Sequence, residues 1–312
     1  MKDLSHQNIV SVVIPTFNRK HLLLRSLRSF IQQSYMHLEI IVVDDCSSDG
    51  TKDVVKGITD SRLKYIRHED NYGGAVARNT GIMTASGMYI AFLDSDDIWK
   101  PDKIEKQVIS ILDNCSSERT VVYTQREYED PSFSKPEPNL GIAPLESLAD
   151  YLFCGRGDMQ TSTLLMHRSF AKSVMFRPDL KKHQDWDFLL RLERNGAKFN
   201  FINEPLTVWN NIPRKDQISR ISDYLISLNW IKEYKSDISA EAFVEFQLVH
   251  ILPKLIKTNS KKILAERILI DAFKLKTITG SEFIRKTREV WSYRKVLYSI
   301  KKRLLGVIEV PS

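Results

Sequence analysis

The sequence lacks the long hydrophobic runs of membrane helices and is poor in cysteine. No stretch approaches the run of about 18 uncharged apolar residues that spans a bilayer, and the first residues carry no apolar signal-peptide segment. The three cysteines, Cys46, Cys115 and Cys154, are odd in number, widely separated and without metal-ligand spacing, which argues against a disulfide framework or a zinc site. We therefore expect a cytoplasmic protein with reduced thiols that neither spans a membrane nor is secreted.

Two glycine-rich nucleotide-binding motifs are also missing. The chain contains neither a G-x-G-x-x-G pattern nor a P-loop lysine pattern, and it shows no internal repeat or low-complexity segment. Its hydrophobic content of 42% is sufficient for a sizeable core. The length gives room for one enzyme domain of about 210–220 residues and an appendage.

The amino-terminal third alternates apolar strands with helical patterns. Such alternation is typical of a parallel, doubly wound α/β sheet. Buried strands are predicted at Ile9–Ile14, Leu38–Val43, Leu63–Arg67 and Met88–Leu93, with further strands at Gln160–His167 and Phe199–Val208. Pro15 and Thr16 are predicted to begin the turn from the first strand to a helix. A polar stretch containing Pro131, Pro136, Pro138 and Pro144 is predicted to be a long loop.

Three acidic residues follow the strand that ends at Leu93, in the sequence Asp94-Ser95-Asp96-Asp97. Asp44-Asp45 follow the second strand in the same way. Because open α/β sheets bind ligands at the carboxyl ends of their strands, this pattern predicts a pocket there. An all-oxygen cluster suits Mg²⁺ or Mn²⁺ holding a phosphorylated ligand. Taken alone, the same residues also suit an ordinary turn or a helix N-cap.

Five blocks of this sequence resemble family-2 inverting glycosyltransferases of the GT-A fold. They occur in the family's order and cover roughly the first two thirds of the chain: Val12–Arg19, Ile41–Thr51, Ala77–Ile82, Phe92–Asp97 and His183–Leu192. The resemblance implies a Rossmann-like, mainly parallel sheet flanked by helices. It also implies a catalytic domain over 1–215, with nucleotide-sugar binding in 1–100 and the acceptor side in 101–215, followed by a helical region over 216–312.

The resemblance also implies which residues bind the donor and the metal. In this family, the D-x-D acids bind a divalent cation: Asp96 would ligate it directly, and Asp94 would reach the ribose or a metal-bound water. Asp45 would bond uracil, since a carboxylate accepts from an imide N–H, and Arg78 would face the diphosphate. A turn role for Asp45 and a solvated Arg78 remain alternatives. The full donor set implied is Pro15, Thr16, Phe17, Asn18, Asp45, Arg78, Asp94, Ser95 and Asp96.

Asp185 occupies the place of the family's general base, which takes the proton of the acceptor hydroxyl. A carboxylate can serve in this way only within hydrogen-bond reach of that hydroxyl. An N-cap role for Asp185 and a base at Asp187 are the alternatives. Gln184, Trp186 and Asp187 are assigned to the acceptor side, although Trp186 also suits the core. Many members of the family have a further His after the last core strand. Here Arg214 or Lys215 would bind the diphosphate instead, and a solvated loop is the alternative.

The predicted function is therefore transfer of a hexose from a UDP-sugar to a lipid-linked or oligosaccharide acceptor in bacterial surface-polysaccharide synthesis, with Mn²⁺ or Mg²⁺ as cofactor. The product would carry a β linkage. Alternatives are a catalytically inactive sugar-nucleotide-binding protein and a nucleotidyltransferase, although Pro15–Asn18 lacks the glycine-rich phosphate loop that the latter normally shows.

Positive charge is concentrated at the end of the chain. Residues 251–312 contain 15 Lys or Arg and five acids, whereas the whole chain has a net charge of +7. Apolar and basic residues interleave over 283–305, which is typical of an amphipathic helix that lies on an anionic membrane on the inner face of the plasma membrane. Packing on the catalytic domain is the alternative. Nucleic-acid binding is disfavoured because no reader motif is present and the acidic pocket would repel phosphates.

Overall fold

The computed structural model describes residues 8–113, 117–130, 132, 135–210, 223–258 and 261–291. Two compact units are formed, Met1–Ile221 and Ser222–Ser312. The predicted boundary between 215 and 216 lies outside the described residues, as do Cys115, Arg214, Lys215 and the 292–305 part of the amphipathic segment. Predictions that rest on them therefore stay predictions.

An eight-stranded sheet runs through the first unit. Its spatial order is β3-β2-β1-β4-β7-β6-β8-β5. The pairs among β1 to β4 are parallel, as is β6 with β8, whereas β7 and β5 pair antiparallel to their neighbours. The strands are β1 Val10–Thr16, β2 Leu38–Asp44, β3 Leu63–Arg67, β4 Tyr89–Phe92, β5 Ile98–Trp99, β6 Thr120–Tyr128, β7 Leu165–His167 and β8 Lys198–Trp209.

Helices flank this sheet, so the α/β prediction is confirmed. The helices of the first unit are α1 Lys20–Ile31, α2 Thr51–Lys56, α3 Gly74–Thr84, α4 Lys103–Asp113, α5 Leu148–Phe153, α6 Arg168–Val174 and α7 Gln184–Arg194. Strands β1 and β2 are buried along their whole length, as their continuous apolar sequences require. Leu23, Leu27 and Phe30 of α1 join the same core.

The helix that carries Arg78 packs very closely on the sheet. A Cβ added to Gly81 of α3 would lie 2.2 Å from Cγ1 of Val13 on β1, so only glycine permits this approach. The close packing fixes the position of α3 relative to the carboxyl ends of β1 and β4, where the predicted site residues lie.

Two strand predictions need correction. Within Gln160–His167 only Leu165–His167 is a strand; Thr161–Thr163 forms a single 3-10 turn. Hydroxyl groups explain the difference, because Thr163 Oγ1 donates to the carbonyl of Gln160 and Ser162 Oγ donates to Asp97. Strand β1 also continues through Thr16, which pairs with Asp44, so the turn predicted to begin at Pro15 begins two residues further on, at Phe17.

The described part of the second unit consists of helices, as predicted for the C-terminal appendage. They are α8 Tyr224–Glu233, α9 Ala240–His250, α10 Leu252–Thr258, α11 Lys262–Lys274 and α12 Gly280–Val290. Helix α12 begins with a capping box, in which Thr279 and Glu282 bind each other's backbone N–H groups. None of the helices described in either unit has the length and apolarity needed to cross a membrane.

Candidate active site

The acidic turn after β4 is held by backbone and hydroxyl contacts. The N–H of Asp97 donates to the carbonyl of Asp94 at 3.0 Å, and the N–H of Asp94 donates to Ser162 Oγ at 3.0 Å. The side chains of Asp94 and Asp96 are 30% and 13% exposed, whereas Ser95 is buried. Two carboxylates of the turn therefore reach solvent at the carboxyl edge of the sheet, as the sequence predicted.

Asp97 has a different environment from its two neighbours. It is buried, and its carboxylate accepts from Ser162 Oγ at 2.6 Å and from the N–H of Asn210 at 3.1 Å. Burial, with the negative charges of Asp96 and Asp94, raises the pKa of Asp97 well above its usual range. Asp97 thus anchors the turn to the end of β8.

Arg78 connects the acidic turn to helix α7. Its Nη2 donates to Asp94 Oδ1 at 2.6 Å and its Nη1 donates to Gln184 Oε1 at 3.2 Å. The side chain is buried beside the ring of Phe176. Although burial alone would lower the pKa of Arg78, the charges of Asp94, Asp185 and Asp96 raise it. The solvated-arginine alternative is therefore wrong. The guanidinium of Arg78 is held between Asp94 of the acidic turn and the first turn of α7.

Asp185 lies in the first turn of α7, next to this cation. Burial raises its pKa to about 6; Asp94 and Asp158 add to the rise, and Arg78 opposes it. The N-cap position is occupied by His183, whose backbone is left-handed with φ 62° and whose side chain makes no capping hydrogen bond. The N-cap alternative for Asp185 is therefore not realised.

Asp187, the rival base, is bound to arginines. Its side chain is fully buried, with Oδ2 at 2.7 Å from Arg191 Nε and Oδ1 at 3.5 Å from Arg177 Nη1. Arg191 in turn donates to the carbonyls of Val174 and Met175 at the end of α6. Asp187 therefore joins α7 to α6.

The other two predicted acceptor residues lie at the same helix start. Gln184 accepts from Arg78 and donates from Nε2 to the carbonyl of Leu180 at 2.7 Å. Trp186 is half-buried; its ring stacks on His183 with centroids 5.1 Å apart and meets Phe153 edge-on at 5.5 Å. Trp186 is thus packed on at least one face by protein.

On the donor side, the predicted base-binding residues lie at the ends of β1 and β2. Pro15 and Thr16 are buried in β1, while Phe17 is 42% exposed. Asn18 has a left-handed backbone with φ 50°, and its Oδ1 accepts from the N–H of Ser48 at 2.8 Å. This pair ties the turn after β1 to the loop after β2.

The carboxylate of Asp45 holds the segment that leads into α3. It accepts from the N–H groups of Tyr72 at 2.9 Å and Gly73 at 2.7 Å, and it lies 2.8 Å from Nδ1 of His68. A turn-stabilising contact is therefore present at Asp45, and any bond to a nucleobase would be made in addition to it.

Sequence reasoning missed Arg19 and Ser162. Arg19 Nη1 lies 3.1 Å from Asp96 Oδ2. Its position in the short turn between β1 and α1 was a usable signal, because the carboxyl ends of parallel β1 and β4 meet at one edge. Ser162 offered no such signal, since its contacts with Asp94 and Asp97 join residues more than 60 positions apart.

The acidic turn suits a hard divalent cation that takes its remaining ligands from substrate phosphates and water. Among the described residues no three His, Cys, Asp or Glu side chains are grouped to hold a metal. Mg²⁺ is commonly bound by one or two carboxylates together with substrate phosphates and water. Asp94 and Asp96 supply that number of carboxylates, and each is now paired with an arginine that a cation would replace.

Comparison with known proteins agrees with this geometry. The family model described as "Glycosyl transferase family 2" matches residues 11–183, which is more than half of the chain. The protein belongs to glycosyl transferase family 2. The match covers the acidic turn and Arg78 and ends one residue before α7.

Similar proteins span most of this glycosyltransferase. The amylovoran biosynthesis glycosyltransferase AmsB of Erwinia amylovora is 33% identical over 272 residues, which are 85% of this chain and 89% of AmsB. WfaP of Escherichia coli, a UDP-Glc:alpha-D-GlcNAc-diphosphoundecaprenol beta-1,3-glucosyltransferase, is 32% identical over 61% of this chain and 72% of WfaP.

A solved structure supports the fold assignment. TarS 1–349 of S. aureus, in complex with UDP-GlcNAc, has a TM-score of 0.63 at 19% identity and covers 92% of both chains. The predicted GT-A fold is thereby confirmed. The family match and the relatives confirm the general function: the protein is a glycosyltransferase, and its relatives are named for bacterial polysaccharide biosynthesis.

Proposed function

We propose that this glycosyltransferase moves a hexose from a UDP-sugar to a lipid-diphosphate-linked sugar or oligosaccharide, with inversion at the anomeric carbon. The observation that carries the proposal is the position of Arg78, which binds Asp94 of the acidic turn and Gln184 beside Asp185. The similarity to WfaP, named for a UDP-Glc donor and a diphosphoundecaprenol-linked acceptor, supports the choice of donor and acceptor class.

Asp185 acts as general base in this proposal. Its carboxylate takes the proton of the acceptor hydroxyl while that oxygen attacks the anomeric carbon from the face opposite the diphosphate. The bond between the anomeric carbon and UDP breaks, UDP leaves, and an α-linked donor gives a β-linked product. A pKa of about 6 suits the task, because the carboxylate is ionised at neutral pH yet more basic than an ordinary aspartate. Asp187 is unsuited because Arg191 and Arg177 occupy it.

Arg78 would stabilise the departing diphosphate. A guanidinium bonds phosphate oxygens in pairs, and a buried one is already oriented before the donor arrives. Asp96 and Asp94 would hold Mn²⁺ or Mg²⁺, which when bound neutralises the charge that develops on the leaving group. Arg19, which pairs with Asp96, would be released by that cation and could bind the same anionic ligand.

Nucleotide binding tests the donor site. We expect UDP to bind tightly with Mn²⁺ and weakly with EDTA, and GDP, dTDP and ADP to bind weakly in both conditions. Asp96→Ala should remove most of the Mn²⁺-dependent gain, about tenfold or more, because one of the two exposed carboxylates is lost. Calorimetry measures all of these, with Asp53→Ala on α2 as the matched control.

Two results would reject the donor assignment. One is equal affinity for UDP with and without Mn²⁺ in the wild type. The other is an Asp96→Ala variant that keeps the full dependence on Mn²⁺.

Contact with an anionic membrane is part of the proposal. Helices α11 and α12 carry exposed apolar residues between basic ones. These residues lie outside the buried faces by which the two helices pack. Ile263 and Ile284 are 75% and 52% exposed, and Lys262 Nζ lies 5.2 Å from the ring of exposed Trp291. Residues 261–291 contain eight Lys or Arg and four acids. Such a surface suits anionic headgroups and the acyl boundary.

Vesicle binding tests this surface. We expect the full chain to sediment with phosphatidylglycerol vesicles, more weakly at high salt, and not with phosphatidylcholine vesicles. The Ile263→Ser/Ile284→Ser double variant should bind about tenfold more weakly, because the apolar part of the contact is removed. Ile109→Ser on α4 is the control, since Ile109 is exposed in the first unit. Equal binding by the double variant and the control would refute the contact.

A further inference from the structure

A second group of interacting side chains lies near the reaction centre, around the carboxyl end of strand β6. At its centre is Arg126, which is 6% exposed. We name this group the Arg126 cluster, and its members are Arg126, Tyr128, Glu137, Asp158 and Trp209. None of them is assigned a step in the chemistry of Asp185, Arg78 and the acidic turn.

Arg126 organises the cluster through three kinds of contact. Its Nε donates to Asp158 Oδ2 at 2.7 Å and its Nη2 to Glu137 Oε2 at 3.2 Å. Its guanidinium carbon lies 4.3 Å from the ring centre of Trp209 and 4.7 Å from that of Tyr128. Backbone hydrogen bonds in both directions also join Arg126 to Glu137, at 2.7 and 2.8 Å. Both aromatic rings and both carboxylates are therefore held in fixed positions.

The cluster adjoins the reaction centre at three points. Asn210, the residue after Trp209, donates its N–H to Asp97 of the acidic turn at 3.1 Å. Asp158 lies in the segment between Phe153, whose ring contacts Trp186 of α7, and Thr161, whose Oγ1 is 3.5 Å from Asp94 Oδ2. The charge of Asp158 also contributes to the raised pKa of Asp185. Asp158 therefore stands on the side of the centre where α7 begins.

The chemistry of the cluster suits a neutral sugar ring. Aromatic faces pack against the C–H groups of a pyranose, and fixed carboxylates accept hydrogen bonds from its hydroxyl groups. A phosphate would be disfavoured, because two carboxylates outnumber the single guanidinium. Asp158 and Glu137 are 26% and 46% exposed, so both retain surface for a ligand.

We propose that the Arg126 cluster binds the sugar residue of the acceptor that carries the attacking hydroxyl, with Asp158 accepting a hydrogen bond from a neighbouring hydroxyl and Trp209 contacting the ring. This assignment rests on the proposed function, because it supposes that Asp185 activates that hydroxyl. Arg126 is a positioning residue, since it acts through Asp158 and Trp209.

Kinetics of three variants test the assignment. Asp158→Asn keeps the shape and an oxygen for Arg126 Nε, and Trp209→Leu removes a ring while leaving the ion pair. With a synthetic alkyl-diphosphate-linked GlcNAc as acceptor, Asp158→Asn should raise the acceptor KM by about tenfold to a hundredfold, the range for a lost hydrogen bond to a charged group. Trp209→Leu should raise it by about twofold to tenfold, because an aromatic contact with the sugar ring is lost. UDP affinity and hydrolysis of the UDP-sugar by water should stay within twofold. Glu127→Gln is the control, because Glu127 alternates to the other face of β6 and pairs with Lys100.

Direct binding separates this proposal from the proposed function. Methyl glycosides of GlcNAc, Glc and Gal are titrated against wild type and variants by ligand-observed NMR, which needs no turnover. Absence of transfer by the wild type would refute the proposed function. The subsite is refuted if Asp158→Asn and Trp209→Leu bind the glycosides as the wild type does, or if UDP affinity falls in parallel with acceptor affinity.

Discussion

Substitution of Asp185 by Asn is expected to reduce the rate of sugar transfer by about a hundredfold to ten-thousandfold, the contribution typical of general base catalysis. The amide has nearly the shape of the carboxylate but cannot take the hydroxyl proton. UDP affinity should stay within about twofold, because the acidic turn and Arg78 remain. Steady-state transfer and calorimetric UDP binding on the same preparation measure the two quantities.

The dependence of kcat/KM and of the melting temperature on pH gives a second test of the role of Asp185. In the wild type, kcat/KM should rise with pH through a midpoint near the Asp185 pKa of about 6, because only the ionised carboxylate is a base. The raised pKa also means that the folded state disfavours the ionised carboxylate of Asp185. This residue therefore lowers the free energy of unfolding, by an amount that grows as the pH rises from about 4 to about 6. Asp185→Asn should therefore melt at an equal or higher temperature above pH 6. Normal turnover by this variant would refute the assignment of the base.

Substitution of Asp187 by Ala is expected to damage stability far more than chemistry. It leaves Arg191 without its buried partner, and breaking a buried ion pair costs about 3 kcal/mol. For a unit of this size that is a fall in melting temperature of about 6–12 °C. Well below the melting temperature, turnover per folded molecule should stay within a few-fold of wild type. Thermal unfolding followed by circular dichroism, with transfer assays at low temperature, measures both.

The matched control for Asp187 is Asp179→Ala. Asp179 pairs with the same Arg177 but is 62% exposed, so its removal should change stability by no more than about 0.5 kcal/mol. Loss of transfer by Asp187→Ala with an unchanged melting temperature would show that Asp187, and not Asp185, is the base.

Much of the donor half was predictable because its signals are local. Strands β1, β2 and β4 consist of continuous apolar residues that can only be buried, and acids that follow such strands meet at one sheet edge. Two residues at this edge were nevertheless missed. Arg19 follows the end of β1 and could have been assigned to this edge. The two bonds of Ser162 depend on which side chains meet in space, and spacing along the chain does not indicate that.

The acceptor half was less predictable for two physical reasons. Helix α7 is buried on more than one side, so the periodicity of Phe188, Leu189 and Leu192 gave no indication that Asp187 is buried as well. Strand β6 changes from apolar to polar within its length, and its carboxyl end is stabilised by Arg126 with partners from a loop and from β8. The β-favouring run Thr120–Thr124 at the start of β6 was a usable signal that the sequence analysis missed, whereas the Arg126 cluster at its end has no local signal.

The anomeric configuration of the product tests the central claim most directly. Wild-type protein is incubated with Mn²⁺, an α-linked UDP-hexose and an alkyl-diphosphate-linked GlcNAc, and the coupling constant of the new anomeric proton is read by NMR. We expect a β-linked product, since Asp185 directs the hydroxyl to the face opposite the departing UDP. An α-linked product would contradict inversion and, with it, the role assigned to Asp185.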